Sequence, residues 1–502
     1  MTRFSWLAKA LLTFAMTSAV AFAGDPRFGP ADPVVKDTRL LDPKRPIGRE
    51  LQASVPDGFT VSAVGDVIMS RPLLQYAQAM PGLSAAIDIL RGSDVTFGNL
   101  ETTIFDPRSF EGAPYSWDGD WTNASVPAVA HNLKAMGFSI VGRANNHSQD
   151  WGLEGMRETA KWLDEAGLVH AGAGDSHRMA RAPAYFESPK GRIALVSFAS
   201  TFRPTSESMP PAATAPGRPG LSALHVKTTV QMPRSDVEAL ARIQCSLHGK
   251  HCNKAPAEGS FFGTAYRQAD RFSYEHTMDP DDLREIYATI RAAQLNADFV
   301  IVAIHSHECS IGCDDENAPH GAANFLKQLA REAIDSGADM FVVTGNHNLG
   351  PVEIYNSPAR GKRPIFYGLG NFVWSDVQEL LPTDLFAGNR ELLGETWRDP
   401  QKATEYDLTA PLNKLYFANA FTFQSVIAEV RFQDNQLAEI VLHPVELGYG
   451  DRLTTSGIPR LVAEESTARE IIGQVVTQTA KFGLPALELR YSGTRGIIVP
   501  GR

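Results

Sequence analysis

The chain has 502 residues, 43% of them hydrophobic and 21% charged, which is ordinary for a globular protein and gives no ground for disorder. A formal net charge of −10, with no basic stripe interleaved with aromatics, argues against a nucleic-acid partner and against unaided adhesion to an anionic membrane.

Residues 1–23 read as a secretory leader. Arg3 and Lys9 supply a positive start, Ala10–Ala19 an apolar centre, and Ala21-Phe22-Ala23 a small-residue cleavage site before Gly24. The expected location is therefore periplasmic or secreted, cut after Ala23, with no stable membrane span afterwards; an uncleaved signal anchor is the alternative. In an oxidising compartment the four cysteines favour disulfides, with Cys245/Cys252 and Cys309/Cys313 as the preferred local pairs; thiolate metal ligation is the rival. Residues 24–57, rich in proline and charge without periodicity, read as an extended arm.

From residue 58 the chain alternates strands and helices, the pattern of an α/β fold. Phe59–Val64 is a buried strand delivering Asp66, and Val95–Phe97 a second, leading to Asn99 and Glu101. Thr102–Thr122 reads as a long loop over the site, and Ala128–Met136 as a helix. The strand Phe138–Val141 runs into Arg143-Ala-Asn145-Asn146-His147, and the helix Leu153–Ala166 follows, stopped by Gly167. Ala182–Glu187 and Arg192–Phe198 form a hairpin. Residues 203–280 break the alternation and read as an insertion over one face, with a helix near Ser235–Ile243 and the aromatics of Phe261–Tyr274 packing on the main body, a substrate-cleft lining being the alternative.

Order returns with a helix over Asp281–Leu295 and the strand Phe299–Ile304, which ends in His305-Ser-His307-Glu308. Residues two apart on a strand end face the same way, so both imidazoles can reach one point. A helix over Asn324–Ser336 precedes the strand Met340–Val343 and His347. Strands at Val352–Tyr355 and Pro364–Tyr367 lead to Asn371, while residues 375–419 read as irregular and acidic. A hairpin over Ser425–Pro444, a helix at Glu464–Lys481 and a short last strand complete a C-terminal extension over 376–502.

Carboxylate, amide and imidazole groups thus recur just past strand ends, where ligands gather in open α/β sheets. Asp66, Glu101, Asn146, His305, His307 and His347 suit Mn, Zn or Fe better than the all-oxygen preferences of Ca or Mg. They are enough for one divalent ion, or for two roughly 3.5–4 Å apart. No Gly-rich phosphate loop, nucleophile elbow or dinucleotide fingerprint is present in the sequence.

At this point the chain resembles a known family. Gly65-Asp66-Val-Ile-Met, Gly98-Asn-Leu-Glu101-Thr, Ala144-Asn-Asn-His147 with Asp150 and Gly152, His305-Ser-His-Glu308, His347 with Pro351-Val-Glu353-Ile-Tyr355, and Tyr367-Gly-Leu-Gly-Asn-Phe372 are similar to the motif series of the CapA/PgsA family of poly-γ-glutamate capsule synthesis proteins, over about residues 59–374. The resemblance implies a calcineurin-like metallophosphoesterase fold over 58–375: a four-layer α/β/β/α sandwich with a metal centre between the sheets. It also implies a role in making or exporting an anionic cell-surface polymer, with that polymer or its precursor and membrane-bound synthesis or export proteins as partners. The sequence departs from the metallophosphoesterase pattern at Ile68, where an Asp-x-His opening has its His, and at Gly345, where a Gly-His-x-His close has its first.

The reading is a periplasmic metalloprotein of this family that acts on, or binds, an anionic polymer or its precursor; whether it is an enzyme stays open, and as one it would be a divalent-metal-dependent hydrolase of a phosphoester or amide bond, with His147, Asp66 and Glu308 catalytic. The six residues above would hold metal, and Asn99, Asn145, Arg143 and Asn371 would meet substrate. Two rivals stand beside it: a non-catalytic polymer-binding or export factor, and a secreted phosphoesterase unrelated to capsule.

Overall fold

The computed structural model describes residues 54–115, 121–249, 257–312, 321–375, 380–394, 402–416 and 419–501. The predicted leader, all but the end of the arm, Cys252 and Cys313 lie outside these residues; neither Cys245 nor Cys309 is a free thiol. Among the described residues no helix is long and apolar enough to cross a membrane.

In chain order the elements that build the core begin with β1 (Phe59–Ile68), α1 (Pro81–Gly92), β2 (Val95–Leu100), α2 (Ala128–Met136), β3 (Ile140–Gly142), α3 (Gly152–Glu165) and β4 (Val169–Ala171). A hairpin follows, β5 (Ala184–Ser188) and β6 (Gly191–Ala199). The insertion contributes β7 (Val226–Met232), α4 (Arg234–Leu247), β8 (Glu258–Phe261), β9 (Thr264–Gln268) and β10 (Ser273–Met278). Then come α5 (Pro280–Asn296), β11 (Phe299–His305), α6 (Asn324–Asp335), β12 (Met340–Thr344), β13 (Val352–Ser357), β14 (Gly361–Phe366) and β15 (Asn371–Trp374). The chain closes with β16 (Gln424–Gln433), β17 (Gln436–Glu446), α7 (Glu465–Lys481), β18 (Leu489–Ser492) and β19 (Arg495–Ile498).

These strands form a mixed α/β fold with several sheets. The largest runs β18-β19-β17-β16-β1-β2-β3-β4, with β15 also paired to β1; the second runs β13-β14-β12-β11-β6-β5. One apolar cluster joins the facing sides of both sheets: Val61, Phe97 and Ile140 from the first meet Leu195, Ile301 and Val342 from the second. A second cluster seats α1 and α2 on the other face of the large sheet through Leu83, Leu90, Val129 and Leu133. A third seats α5 and α6 on the other face of the second sheet through Ile286, Ile290, Leu326 and Leu329. The 3.6-residue spacing of those helix positions puts them on one stripe, which is why these segments are amphipathic helices.

Strand periodicity decides where the polar groups go. On β11, Phe299, Ile301 and Ala303 face the inter-sheet core, so His305 faces it too. On β2, Val95 and Phe97 do the same and carry Asn99 with them. On β1 an unbroken alternation would send Asp66 to the helix side with Val64. Instead the register shifts between Ala63 and Asp66, and Val67 takes the helix side. This bulge turns Asp66 into the space between the sheets. Gly65 makes it possible, because a Cβ there would stand 1.8 Å from the Gly370 carbonyl oxygen.

Three expectations change. The described residues between 375 and 419 are not all irregular: helices occupy Thr383–Gly388, Arg390–Leu393 and Glu405–Tyr416. Their short lengths and Pro411 inside the last one hide a helical period. The insertion has a four-stranded sheet of its own, β8-β9-β7-β10. Its aromatics do not all pack on the main body: Tyr266 is buried in the insertion, whereas Phe262 is 86% and Phe272 52% exposed. Within the expected loop over the site, Thr103–Ile104 pairs with Ala124–Ser125, and Phe105 stacks against Phe110 and Trp151.

Candidate metal centre

The strand ends of β1, β2 and β11 and the loops after β3 and β12 converge where the inter-sheet apolar core gives way to polar groups. His305 stands at the middle. Its Nε2 lies 2.8 Å from Asn146 Oδ1, 3.0 Å from His307 Nε2 and 3.4 Å from Glu101 Oε1. Its Nδ1 lies 3.1 Å from Asn99 Nδ2, 3.2 Å from Thr344 Oγ1 and 3.7 Å from Asp66 Oδ1. Asn99 Nδ2 also donates to Asp66 Oδ1 at 2.8 Å, and the Gly345 N–H donates to Asp66 Oδ2 at 2.9 Å.

His347, the residue after a turn at Gly345-Asn346, has its Nδ1 3.5 Å from Asp66 Oδ2 and 2.9 Å from Asn371 Oδ1. It is a non-glycine residue at φ 50°, a conformation that surrounding contacts must hold. Asn371, in parallel register with Asp66, and the Trp374 ring 5.0 Å away supply them. Gly345 stands where the resemblance leads one to expect a histidine. A Cβ there would approach His305 Nε2 and His307 Cδ2 to 3.0 Å, so glycine leaves room for the imidazole that enters from β11.

Two groups of candidate ligand atoms lie within 4.8 Å of one another: Asp66, Glu101 and His305, and Glu101, His307 and His347. Glu101 belongs to both. It is fully buried, and neither carboxylate oxygen has a hydrogen-bond partner. A buried carboxylate left in that state is costly unless a cation meets it, so the donor set fits a divalent ion held by oxygen and nitrogen.

The charges are strongly coupled. Burial works to raise the Asp66 carboxyl, but hydrogen bonding and charge from His305 and His347 hold it well below the usual range. Burial lifts Glu101, with the Asp66 charge adding to it against His305. Burial and the neighbouring His305 and His347 charges push His307 well below the ordinary imidazole value. His347 goes the other way despite burial, up to about 9, through Asp66 and Glu101. These opposed shifts are the behaviour expected of one compact site.

His147 sits at the edge of the cluster with Nε2 3.8 Å from Glu101 Oε1. Its Nδ1 is 2.6 Å from Asp150 Oδ2, which also accepts from the Asn123 N–H at 2.6 Å. Although burial opposes it, the Asp150 carboxylate raises the His147 pKa. The Arg203 guanidinium stands 3.4 Å from the other Asp150 oxygen.

Of the residues singled out in the sequence, Asp66, Asn99, Glu101, Asn146, His147, His305, His307, His347 and Asn371 come together here. Asn145 lies just behind, its Nδ2 donating to Asn99 Oδ1 and to the Leu100 carbonyl. Two do not join. Arg143 is buried with Nη2 donating to the Met156 carbonyl at 2.6 Å, and burial lowers its pKa to about 10. A residue directly after a strand faces either side, and this one faces α3. Glu308 turns its Oε2 to the hydroxyls of Ser200, Thr201 and Ser306, away from both ligand groups. Three contributors had no role from sequence. Asp150 was readable from its three-residue spacing to His147; Asn123 and Thr344 had no comparable signal.

The family model for the bacterial capsule synthesis protein PGA_cap matches residues 60–376. Two uncharacterized proteins of Sinorhizobium fredii, y4sH and y4uA, are each 39% identical over 455 residues, covering 88% of this chain and 94% of their own. The PGA biosynthesis protein CapA of Bacillus subtilis is 25% identical over 323 residues, 63% of this chain and 64% of that one. A hypothetical protein of Thermus thermophilus with a solved structure covers 77% of this chain at 12% identity, with a TM-score of 0.35 that carries no structural weight. With more than half of its length matched by the family model, this chain belongs to the bacterial capsule synthesis protein PGA_cap family.

Proposed function

We propose that the chain acts in capsule synthesis as a hydrolase dependent on one or two divalent cations, working outside the cytoplasm on an anionic polymer or its precursor. The observation that carries the reading is Glu101, buried with both oxygens unpartnered beside His305, His307 and His347. Its membership of two ligand groups supports room for one or two cations, which Asp66, Glu101 and His305, and Glu101, His307 and His347, would hold. Asn146, whose Oδ1 lies 2.8 Å from His305 Nε2, would add a neutral oxygen beside them. Three apolar clusters, one between the sheets and one under each helical layer, support the four-layer α/β/β/α sandwich of a metallophosphoesterase.

A divalent cation bound among these groups supplies positive charge that polarises a phosphoester or amide oxygen. His147 is the proton carrier in this reading: Asp150 fixes Nδ1, so Nε2 is left to stabilise charge or protonate a leaving atom. Asn371 acts on His347 and Asn99 on His305, orienting the rings.

Elemental analysis of purified protein comes first, followed by assays on model phosphodiesters and γ-glutamyl peptides with Mn, Zn or Fe, and His147→Ala as control. One or two cations per chain and turnover that falls in His147→Ala are the expected results. Absence of both bound cation and turnover would overturn the hydrolase reading in favour of a polymer-binding factor.

A further inference from the structure

Glu308 faces away from the ligand groups, and the groups it does face give it another task. Backbone hydrogen bonds fix the chain after β11 only as far as Ser306. The Ser200 N–H donates to the His305 carbonyl at 3.0 Å, and the Ser306 N–H donates to the Thr344 carbonyl at 2.9 Å. The strand has ended at His305, and the next backbone pairing is that of Cys309 with Ala322. His307 lies between the two. Its N–H is held by a side chain, donating to Thr201 Oγ1 at 2.8 Å. Its ring meanwhile has to stay within reach of Glu101 and His347 to complete the second ligand group. Ligand side chains need holding to about 0.5 Å, so whatever fixes this amide matters to the centre.

A threonine hydroxyl carries one proton and can rotate. Its oxygen stays turned to the His307 N–H only if that proton is taken elsewhere, and Glu308 Oε2 takes it at 3.2 Å. The same oxygen accepts from the hydroxyls of Ser200 and Ser306 at 2.7 Å each. A carboxylate only accepts, with about four lone-pair sites on its two oxygens, so all three hydroxyls can aim their protons at it. Ser200 and Ser306 are already tied by their backbones, which leaves His307 as the residue whose placement depends on this arrangement. We propose that Glu308 is a positioning residue of the centre: by accepting the Thr201 proton it fixes that hydroxyl as the acceptor for His307 and so sets the His307 imidazole among the ligands. It acts through Thr201 and touches neither cation nor substrate.

Because this role rests on the cation reading above, the test on the full chain has one arm with Mn and one in EDTA. Glu308→Gln offers an amide oxygen with two lone-pair sites and an NH2 that only donates, so the hydroxyls lose their common acceptor. Calorimetric titration with Mn should show Glu308→Gln and Thr201→Val each weakening binding by about tenfold or more, while Thr201→Ser, which keeps the hydroxyl, retains it. The double variant Glu308→Gln/Thr201→Val should bind no worse than either single one, since both break the same chain of bonds. In EDTA, hydrogen exchange at the His307 amide should quicken by about fivefold or more in Glu308→Gln and Thr201→Val, with β11 and β12 unchanged. Unchanged exchange at His307 would overturn the proposal whether or not Mn binds. So would additive losses in the double variant, or faster exchange spread over β11 and β12, which would make Glu308 a structural tie. A wild type that takes up no Mn, with His307 exchange altered as expected, would overturn the metal reading and leave Glu308 as the holder of His307.

Discussion

Replacing Glu101 by Gln should stabilise the protein in one buffer and weaken it in another. Wild-type Glu101 is fully buried, with both oxygens unpartnered and the nearest imidazole nitrogens 3.4 and 3.8 Å away. In chelator that carboxylate is a burden, and the neutral isostere should relieve about 1–3 kcal/mol. With a divalent cation at about a thousand times its dissociation constant, the wild type should gain about 4.1 kcal/mol, more than that relief, and the variant little. Unfolding entropy of about 2.1 cal/mol/K per residue over roughly 450 residues makes each kcal/mol worth about 1 °C in melting temperature. Thermal unfolding in EDTA should therefore place Glu101→Gln about 1–3 °C above wild type, and Mn should invert the order. A variant that melts lower in EDTA, or one that Mn raises as much as wild type, would refute the reasoning, because Glu101 would then be structural.

Gly345→Ala should cost about 1–3 kcal/mol in unfolding and at least about tenfold in cation affinity by calorimetry, since φ is +96° and the new Cβ would press on His305 and His307 at 3.0 Å. Asp150→Asn should leave cation content unchanged while lowering turnover by on the order of 10²–10⁴ on any substrate the wild type cleaves, because His147 Nδ1 loses its carboxylate; loss of cation instead would make Asp150 a structural group. Glu429 has its pKa lowered chiefly by a 3.0 Å hydrogen bond with His443. Its contribution, about 1–2 kcal/mol, is present above the ordinary value of 4.5 and is lost as pH falls through the depressed one. His443→Leu should therefore lower stability near pH 6 and flatten the acid limb of a urea-midpoint profile.

Much of the centre was legible because strand ends announce themselves. A buried apolar run followed at once by His, Asn or Asp, as at His305, is a strong local pattern, and period two tells which side chains share a face. That rule fails at Asp66, where only the register shift beside Gly65 brings the carboxylate between the sheets. It also fails at Arg143, whose long side chain is buried toward α3. The insertion's sheet was hidden by strands such as Val226–Met232, which are half-exposed and do not alternate clearly. The helices between 383 and 416 were hidden by brevity.

The pairing of β1 has a consequence for how this protein can be cut and made. Its Phe59–Ala63 half is zipped to β16, residues Gln424–Gln433, while its Asp66–Ile68 half is zipped to β15. The segment recognised by the family model stops at residue 376 and leaves β16 behind. Excised on that boundary, the strand bearing Asp66 would present a row of bare amides and carbonyls to any neighbouring chain. During synthesis the same gap stays open until translation has passed Gln433, so the first strand of the core must wait for nearly the last.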